Sequence, residues 1–189
     1  DQTAKKIDKI SYEEMLEMSS MGSKILQTRS VELAMKNNLS LQVLSSITNL
    51  SGTMIVNEKD LVEKELVSGV SYSDREAKVT ISGVPDIPGI SAKIFGALAD
   101  NDINVDMIVQ NISQDGITAN MTFTVHDKDM DLAKQIIEAN KPSIKYTSLS
   151  TNANVSKISV IGVGMKSQSG VAKKMFETLA NKHINIFAI

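Results

Sequence analysis

Between Lys78 and Leu149 the chain alternates, turns and changes period in a readable order. Val79, Ile81 and, past Ser82-Gly83, Val84 are the apolar positions of a half-buried strand. Pro85-Asp86-Ile87-Pro88-Gly89 makes a tight loop. Ile90, Ile94, Ala97 and Leu98 then recur at helical spacing. Residues 103–112 read as a second strand, Gln114-Asp115-Gly116 as a hairpin turn and 117–125 as a third strand. A helix over 129–139 should turn Leu132, Ile136 and Ile137 inward, and 144–149 reads as a fourth strand. The order βαββαβ is the split βαβ of a ferredoxin-like fold, so the class is α+β.

The pattern then returns, about 80 residues on. Residues 77–105 read AKVTISGVPDIPGISAKIFGALADNDINV, and 156–186 read SKISVIGVGMKSQSGVAKKMFETLANKHINI. Lys78, Gly83 and Val84 match Lys157, Gly162 and Val163. After a two-residue insertion, Gly89, Lys93, Phe95, Leu98, Ala99, Ile103 and Asn104 match Gly170, Lys174, Phe176, Leu179, Ala180, Ile184 and Asn185. Such repetition indicates a duplicated structural unit. The second copy supplies a strand (158–163), a helix (169–181) and the start of a strand (184–189). The first copy continues through two more strands and a helix. The second is therefore expected to be truncated, and the chain, which opens on Asp1, to be an internal piece of a longer protein.

Upstream, Ser11 followed by Glu14 predicts a capping box, with Met15, Leu16 and Met18 on one helix face. Gly22 interrupts, and Val31, Leu33 and Ala34 predict a second helix. Residues 40–45 alternate, Ser51-Gly52 turns, and 53–56 read as a short strand. The expected domains are 1–56, a linker over 57–76, a first repeat unit over 77–150 and a second over 155–189. The alternation in 62–70 suggests a strand lent to the second unit.

Composition excludes several classes. Net charge is −2 with Lys and Arg dispersed, so there is no basic stripe for nucleic acid. Phe123 is the only aromatic in the strands of 77–150 before Tyr146, too few for an RNA-stacking sheet. No apolar run approaches the length of a membrane span, and there is no secretory segment. The chain has no cysteine, which fits a cytoplasmic protein and removes thiolate chemistry. His126 and His183 lack partners at metal-ligand spacing, so no metal site is expected.

The loop at Asp86 carries the most chemistry. Free N–H groups at a helix N-terminus attract a carboxylate, and Asp86 could accept an ammonium, so the loop could hold both ends of an amino acid. On the residues alone, an ordinary turn with Asp86 as the helix cap is the favoured reading. The second copy has GMKSQSG here and no carboxylate to match Asp86, so the two loops are not expected to be equivalent sites.

A tandem βαββαβ unit with a Pro-Gly loop opening its first helix resembles the ACT-type amino-acid-binding domain. SGVPDIPGISAKIFGALADNDINVDMIVQNIS followed by VIGVGMKSQSGVAKKMFETLANKHINI is similar to the regulatory half of the aspartate kinase family. ISYEEMLEMSSMGSKILQTRSVELAMKN followed by SGTMIV resembles the tail of that family's α/β amino-acid-kinase domain. The resemblance implies transfer of the γ-phosphoryl of ATP, with Mg2+, to the side-chain carboxylate of L-aspartate, the first step toward lysine, threonine and methionine. It implies feedback inhibition by lysine, threonine or both. Effector contacts would fall on Asp86, Ile87, Pro88, Gly89, Ile90, Ser91, Asn104, Val105, Asp106 and Gln110, and on Val171, Ala172, Asn185 and Ile186. Lys24 would contact the nucleotide in the intact enzyme. The family's N-terminal phosphate-binding segment has no match here, so this piece should be inactive alone and need no cofactor. Implied partners are a second copy through ACT pairing, or catalytic subunits, with no nucleic acid or membrane. The alternative is a stand-alone ACT regulatory module, which would have no reason to carry ISYEEMLEMSSMGSKIL.

Overall fold

A computed structural model describes residues 5–23, 25–48, 50–61, 66–166 and 169–189. They form two compact units: Asp1–Ser73 with Ile158–Asn185, and Asp74–Lys157 with Ile186–Ile189.

The first unit begins with β1 (Lys9–Ser11), α1 (Tyr12–Ser20), α2 (Thr28–Lys36), β2 (Leu41–Val43) and β3 (Thr53–Val56). Its sheet order is β1-β3-β2, with β1 parallel and β2 antiparallel to β3. The predicted capping box is present. Ser11 Oγ accepts the Glu14 N–H, and the Glu14 carboxylate accepts the Ser11 N–H, both at 3.1 Å. Ile10, Tyr12, Met15, Val31, Ala34 and Ile55 form the core, with Leu16 and Met18 at its margin. Leu33 was expected inside and is 62% exposed. Val31 and Ala34 lie three positions apart on one face, and at 100° per residue Leu33 is carried off it.

The second unit is built on residues 74–85 of β4 (Gly69–Pro85), on α3 (Ile90–Ala99), β5 (Val105–Ile112), β6 (Thr118–His126), α4 (Met130–Ala139) and α5 (Lys141–Ile144), and on residues 148–157 of β7 (Ser148–Ile161). Strand order is β5-β6-β4-β7, the ferredoxin-like arrangement, with β6 antiparallel to both β4 and β5. Val79, Ile81, Val84, Ile94, Leu98, Phe123, Ile137 and Ile144 are fully buried between sheet and helices. Each such side chain contributes about 1.5–3 kcal/mol relative to exposure. Phe95 meets Phe123 edge-on, with ring centres 5.4 Å apart. The helix α6 (Val171–Asn181) follows in the first unit.

Four expectations are corrected. The linker assigned to 57–76 is already strand from Gly69. Ile144 closes α5 instead of opening a strand; the strand starts at Ser148 and runs unbroken through the second copy's expected first strand to Ile161. Leu132 is 44% exposed, because α4 turns Ala133 and Ile137 inward. Residues 184–189 have strand-like alternation but are irregular, with no ladder partner among the described residues.

Of the strand suggested over 62–70, residues 66–68 are irregular and 69–70 are the start of β4. Ser68 donates its N–H to the Ile161 carbonyl at 2.8 Å in the first unit. In the second unit Thr147 donates to the Ser82 carbonyl at 2.9 Å. Ser82 and Ile161 are matched positions of the two copies, and the matched glycines follow them. A Cβ on Gly83 would lie 2.2 Å from Thr147 Oγ1, and one on Gly162 would lie 2.4 Å from the Leu66 carbonyl oxygen. Both glycines are set by the close approach of a neighbouring segment, in each case one that leads into a strand. Residues 62–65 of the suggested strand lie outside the described residues.

Candidate functional site

The loop before α3 is held by the Asp86 N–H, which donates to the Ile117 carbonyl at 2.8 Å. Gly89 is the helix N-cap in the left-handed region (φ 88°), where glycine carries no steric penalty. Lys93 donates to the Gly89 carbonyl at 3.1 Å, closing the first turn. No side chain caps α3. Asp86 therefore does not act as its cap, contrary to the bland reading of the loop. Its Oδ1 accepts instead from Gln110 Nε2 on β5 at 3.3 Å. The structure thus brings together Asp86, Gln110 and an uncapped helix start whose first N–H groups point outward along the axis.

Asp86, Ile87, Pro88 and Gly89 are exposed, and Ser91 is half-buried. Ile90 is 5% exposed, its side chain in the core with Ile94 and Leu98, so it can offer a ligand only its backbone. Asn104 is exposed, and Val105 is half-buried opposite Val125.

Asp106 has a different attachment. The β5–β6 register shifts between Asp106 and Ile108, and Met107 sits at φ 23° as the extra residue of a bulge. The Met107 N–H donates to Asp106 Oδ1 at 2.8 Å, and the Lys157 ammonium pairs with Oδ2. Lys157 is also 3.8 Å from Glu76. Burial pushes the Asp106 carboxyl up, but the Lys157 ammonium and the Met107 N–H outweigh it and hold the group below its ordinary value. Lys157 and Glu76 were not among the expected site residues. Their signal was absent from spacing, because the pairing is across strands far apart in sequence.

In the second copy, α6 starts the same way, on Gly170 at φ 105° with no side-chain cap. Val171 and Ala172 occupy its first turn, half-buried and exposed respectively. Asn185 and Ile186 are exposed beyond the helix. Lys24 lies outside the described residues. No cluster fit for a metal occurs among the described residues, nor any helix long and apolar enough to cross a membrane. A cavity of about 470 Å³ in the first unit is lined by Glu13, Asn57, Glu58 and Lys59 and includes none of the expected site residues.

The ACT domain family matches residues 79–140 and 158–189, so the duplicated unit is an ACT unit. The aspartate kinase of Pseudomonas fluorescens is 46% identical over 97% of this chain. The aspartokinase of Helicobacter pylori is 46% identical over 100% of it. The chain spans 44% and 47% of the length of these two relatives. Among solved structures, aspartokinase alpha and beta subunits match at 40% identity and TM-score 0.59, over 65% of this chain and 80% of that one. The regulatory subunit of aspartate kinase from Thermus flavus matches at 35% identity and TM-score 0.61, over 66% of this chain and 82% of that one. Clostridium acetobutylicum aspartate kinase has the same fold over 100% of this chain and 43% of its own, at TM-score 0.87 and 21% identity. The chain belongs to the aspartate kinase family and carries its ACT region.

Proposed function

We propose that this chain is the amino-acid-sensing part of an aspartate kinase, binding lysine, threonine or both for feedback inhibition. The observation that carries the reading is Asp86, oriented by Gln110 three residues before an uncapped helix start. The carboxylate suits the α-ammonium of a free amino acid, and the first-turn N–H groups of α3 suit its α-carboxylate. Asn104, Val105 and Asp106, with Val171, Ala172, Asn185 and Ile186, complete the proposed effector contacts. The matched relatives support a full-length protein that moves the γ-phosphoryl of ATP, with Mg2+, to L-aspartate, with Lys24 at the nucleotide. Phosphoryl transfer needs charge-neutralising groups around the phosphate, and this reading assigns only Lys24 of these residues to the nucleotide. A cytoplasmic assembly through ACT pairing, with a second copy or with catalytic subunits, completes the proposal. An effector inhibits by its higher affinity for the inhibited arrangement, typically about 1–3 kcal/mol.

Packing of residues 5–56 into one unit with 158–185 favours this reading over a stand-alone module, for which that segment has no use. Calorimetry tests the sensing role, with lysine and threonine added separately and together, to this chain and to the full-length protein. Heat of binding is expected, with affinity reduced about tenfold or more by Asp86→Asn as a charged hydrogen-bond partner is lost. No heat from any combination in either protein would overturn it.

A further inference from the structure

Glu14 is a nearly buried carboxylate, 5% exposed, that the proposed chemistry does not use. The sequence accounts for half of its bonding. Oε2 accepts from the Ser11 N–H, the carboxylate half of the capping box, and from the Ser11 hydroxyl, both at 3.1 Å. Oε1 turns to two distant segments. It accepts from the Ser68 hydroxyl at 2.5 Å and from the Val163 N–H at 2.8 Å. Burial pushes the Glu14 carboxyl up, but the bonds from Ser68, Val163 and Ser11 hold it below its ordinary value. An ionised carboxylate only accepts, so all four donors are matched. These four donors are neutral, which makes the charge dependent on each one staying in place.

The three segments have different destinations. Ser68 leads directly into β4. Val163 opens the one-turn helix Val163–Lys166, which precedes the loop of the second ACT copy and α6. Glu14 lies in the first turn of α1. The far end of α1 is held separately by the start of β4. Ser71 Oγ donates to the Met21 carbonyl at 2.7 Å. Gly22, at φ 109°, lies so close to the Tyr72 carbonyl that a Cβ would come within 2.7 Å of its oxygen. Glu14 thus makes a hydrogen-bonded contact from α1 to the second copy.

We infer that Glu14 is a positioning residue that couples α1 to the second ACT copy through Val163, so that effector binding is transmitted to α1 by this carboxylate. The inference rests on the sensing role proposed above, in which the segment after α1 contacts the nucleotide. An effector that moves the second-copy loop displaces the Val163 N–H. Glu14 cannot lose that donor without a cost, so α1 follows or the bond breaks. Either way the two states of the loop differ in free energy at α1, which is what coupling requires.

The test uses the full-length protein that carries this chain. Glu14→Gln replaces two acceptor oxygens with one and sets an amide donor against the other donors. Ser68→Ala removes one donor and leaves the charge. The readouts are affinity for a non-hydrolysable ATP analogue with and without lysine plus threonine, effector affinity by calorimetry, and basal kcat and KM. Both variants are expected to keep basal kinetics and effector affinity within about threefold, while the effector-induced change in nucleotide affinity falls at least about fivefold, the low end of typical coupling. A merely structural role would lower basal activity and leave the ratio of affinities unchanged. Wild-type coupling in folded Ser68→Ala and Glu14→Gln would overturn the inference, and Ser68→Ala alone decides it if Glu14→Gln does not fold. Effector binding without coupling in the wild type would overturn this inference and leave the sensing role standing. No effector binding at all would remove both.

Discussion

Helices α3 and α6 are written in nearly the same pattern and meet different fates. Both start on a left-handed glycine without a side-chain cap, Gly89 at φ 88° and Gly170 at φ 105°. Both end alike. Asp102 and His183, matched in the repeat, sit at φ 57° and 56°. The following Ile103 and Ile184 donate back to Leu98 and Leu179 at 3.1 and 3.0 Å. Yet α3 buries Ile90, Ile94 and Leu98, while α6 buries none of its residues. Their counterparts Val171, Met175 and Leu179 are only half-buried. In the first copy β6 and α4 supply Phe123 and Ile137 to the core that takes in α3. Neither core among the described residues takes in a residue of α6. Local sequence sets where each helix starts, stops and faces; burial is set by what packs on it.

The widest contrast is expected in packing energy. Ile94 is fully buried, so Ile94→Ala should cost about 2–5 kcal/mol through lost transfer energy and the cavity left behind. Met175→Ala, at the matched position of α6, should cost under about 1 kcal/mol in this chain, because a half-exposed side chain leaves no closed cavity. Urea unfolding, with hydrogen exchange of α3 and α6 followed separately, measures both. Equal losses at the two positions would break the comparison.

What could be read from the residues follows the same division. The capping box at Ser11, the start of α3 after Pro88-Gly89 and the ferredoxin-like order depend on neighbours in sequence or on period. They were legible. The bond from Val163 to Glu14 and the ion pair from Lys157 to Asp106 join residues 149 and 51 positions apart. No local pattern encodes either. The continuous β7 was misread for a related reason: its two halves carry separate patterns, and only the ladder shows that no turn divides them. Leu33 and Leu132 show the limit of apolarity as a guide, since each is adjacent to the residue that in fact faces inward. Of the site, the loop and the glycine start of α3 were legible, but the partners that distinguish Asp86 from Asp106 were not.

A smaller effect tests the shared part of the scaffold. An added Cβ meets nothing within 4 Å at Gly89 or at Gly170, so contact contributes no penalty at either. What remains is the backbone, which at positive φ disfavours an L side chain by about 1–2 kcal/mol. Gly89→Ala and Gly170→Ala should therefore destabilise their helices by similar amounts, read as faster exchange of the first hydrogen-bonded amides, Lys93 and Lys174. If only one responds, the two helix starts are not equivalent.

The smallest expected effect lies at the matched lysines. Lys157 pairs with Asp106, while Lys78 sits over the Phe187 ring, 5.3 Å from its centre. Asp106 and Phe187 are themselves equivalent under the repeat, so one geometry holds an ion pair in one place and a cation–π contact in the other. Only the ion pair includes a carboxylate. The folded Asp106 carboxyl is held below its ordinary value, so its contribution is complete above about pH 3.9 and is lost as pH falls through the lower folded value. Asp106 is half-exposed, 51% by side chain, and solvent screening limits the contribution to at most about 1 kcal/mol. Lys157→Met should raise the Asp106 pKa, measured by NMR titration of its carboxyl carbon, and flatten the acid limb of the stability curve. Lys78→Met removes a contact whose strength does not depend on a carboxylate, so it should lower stability by a similar or smaller amount, evenly across acid pH. An acid limb that flattens equally in both variants would mean that Asp106 draws its stabilisation from some group other than Lys157, and the parallel between the two lysines would fail.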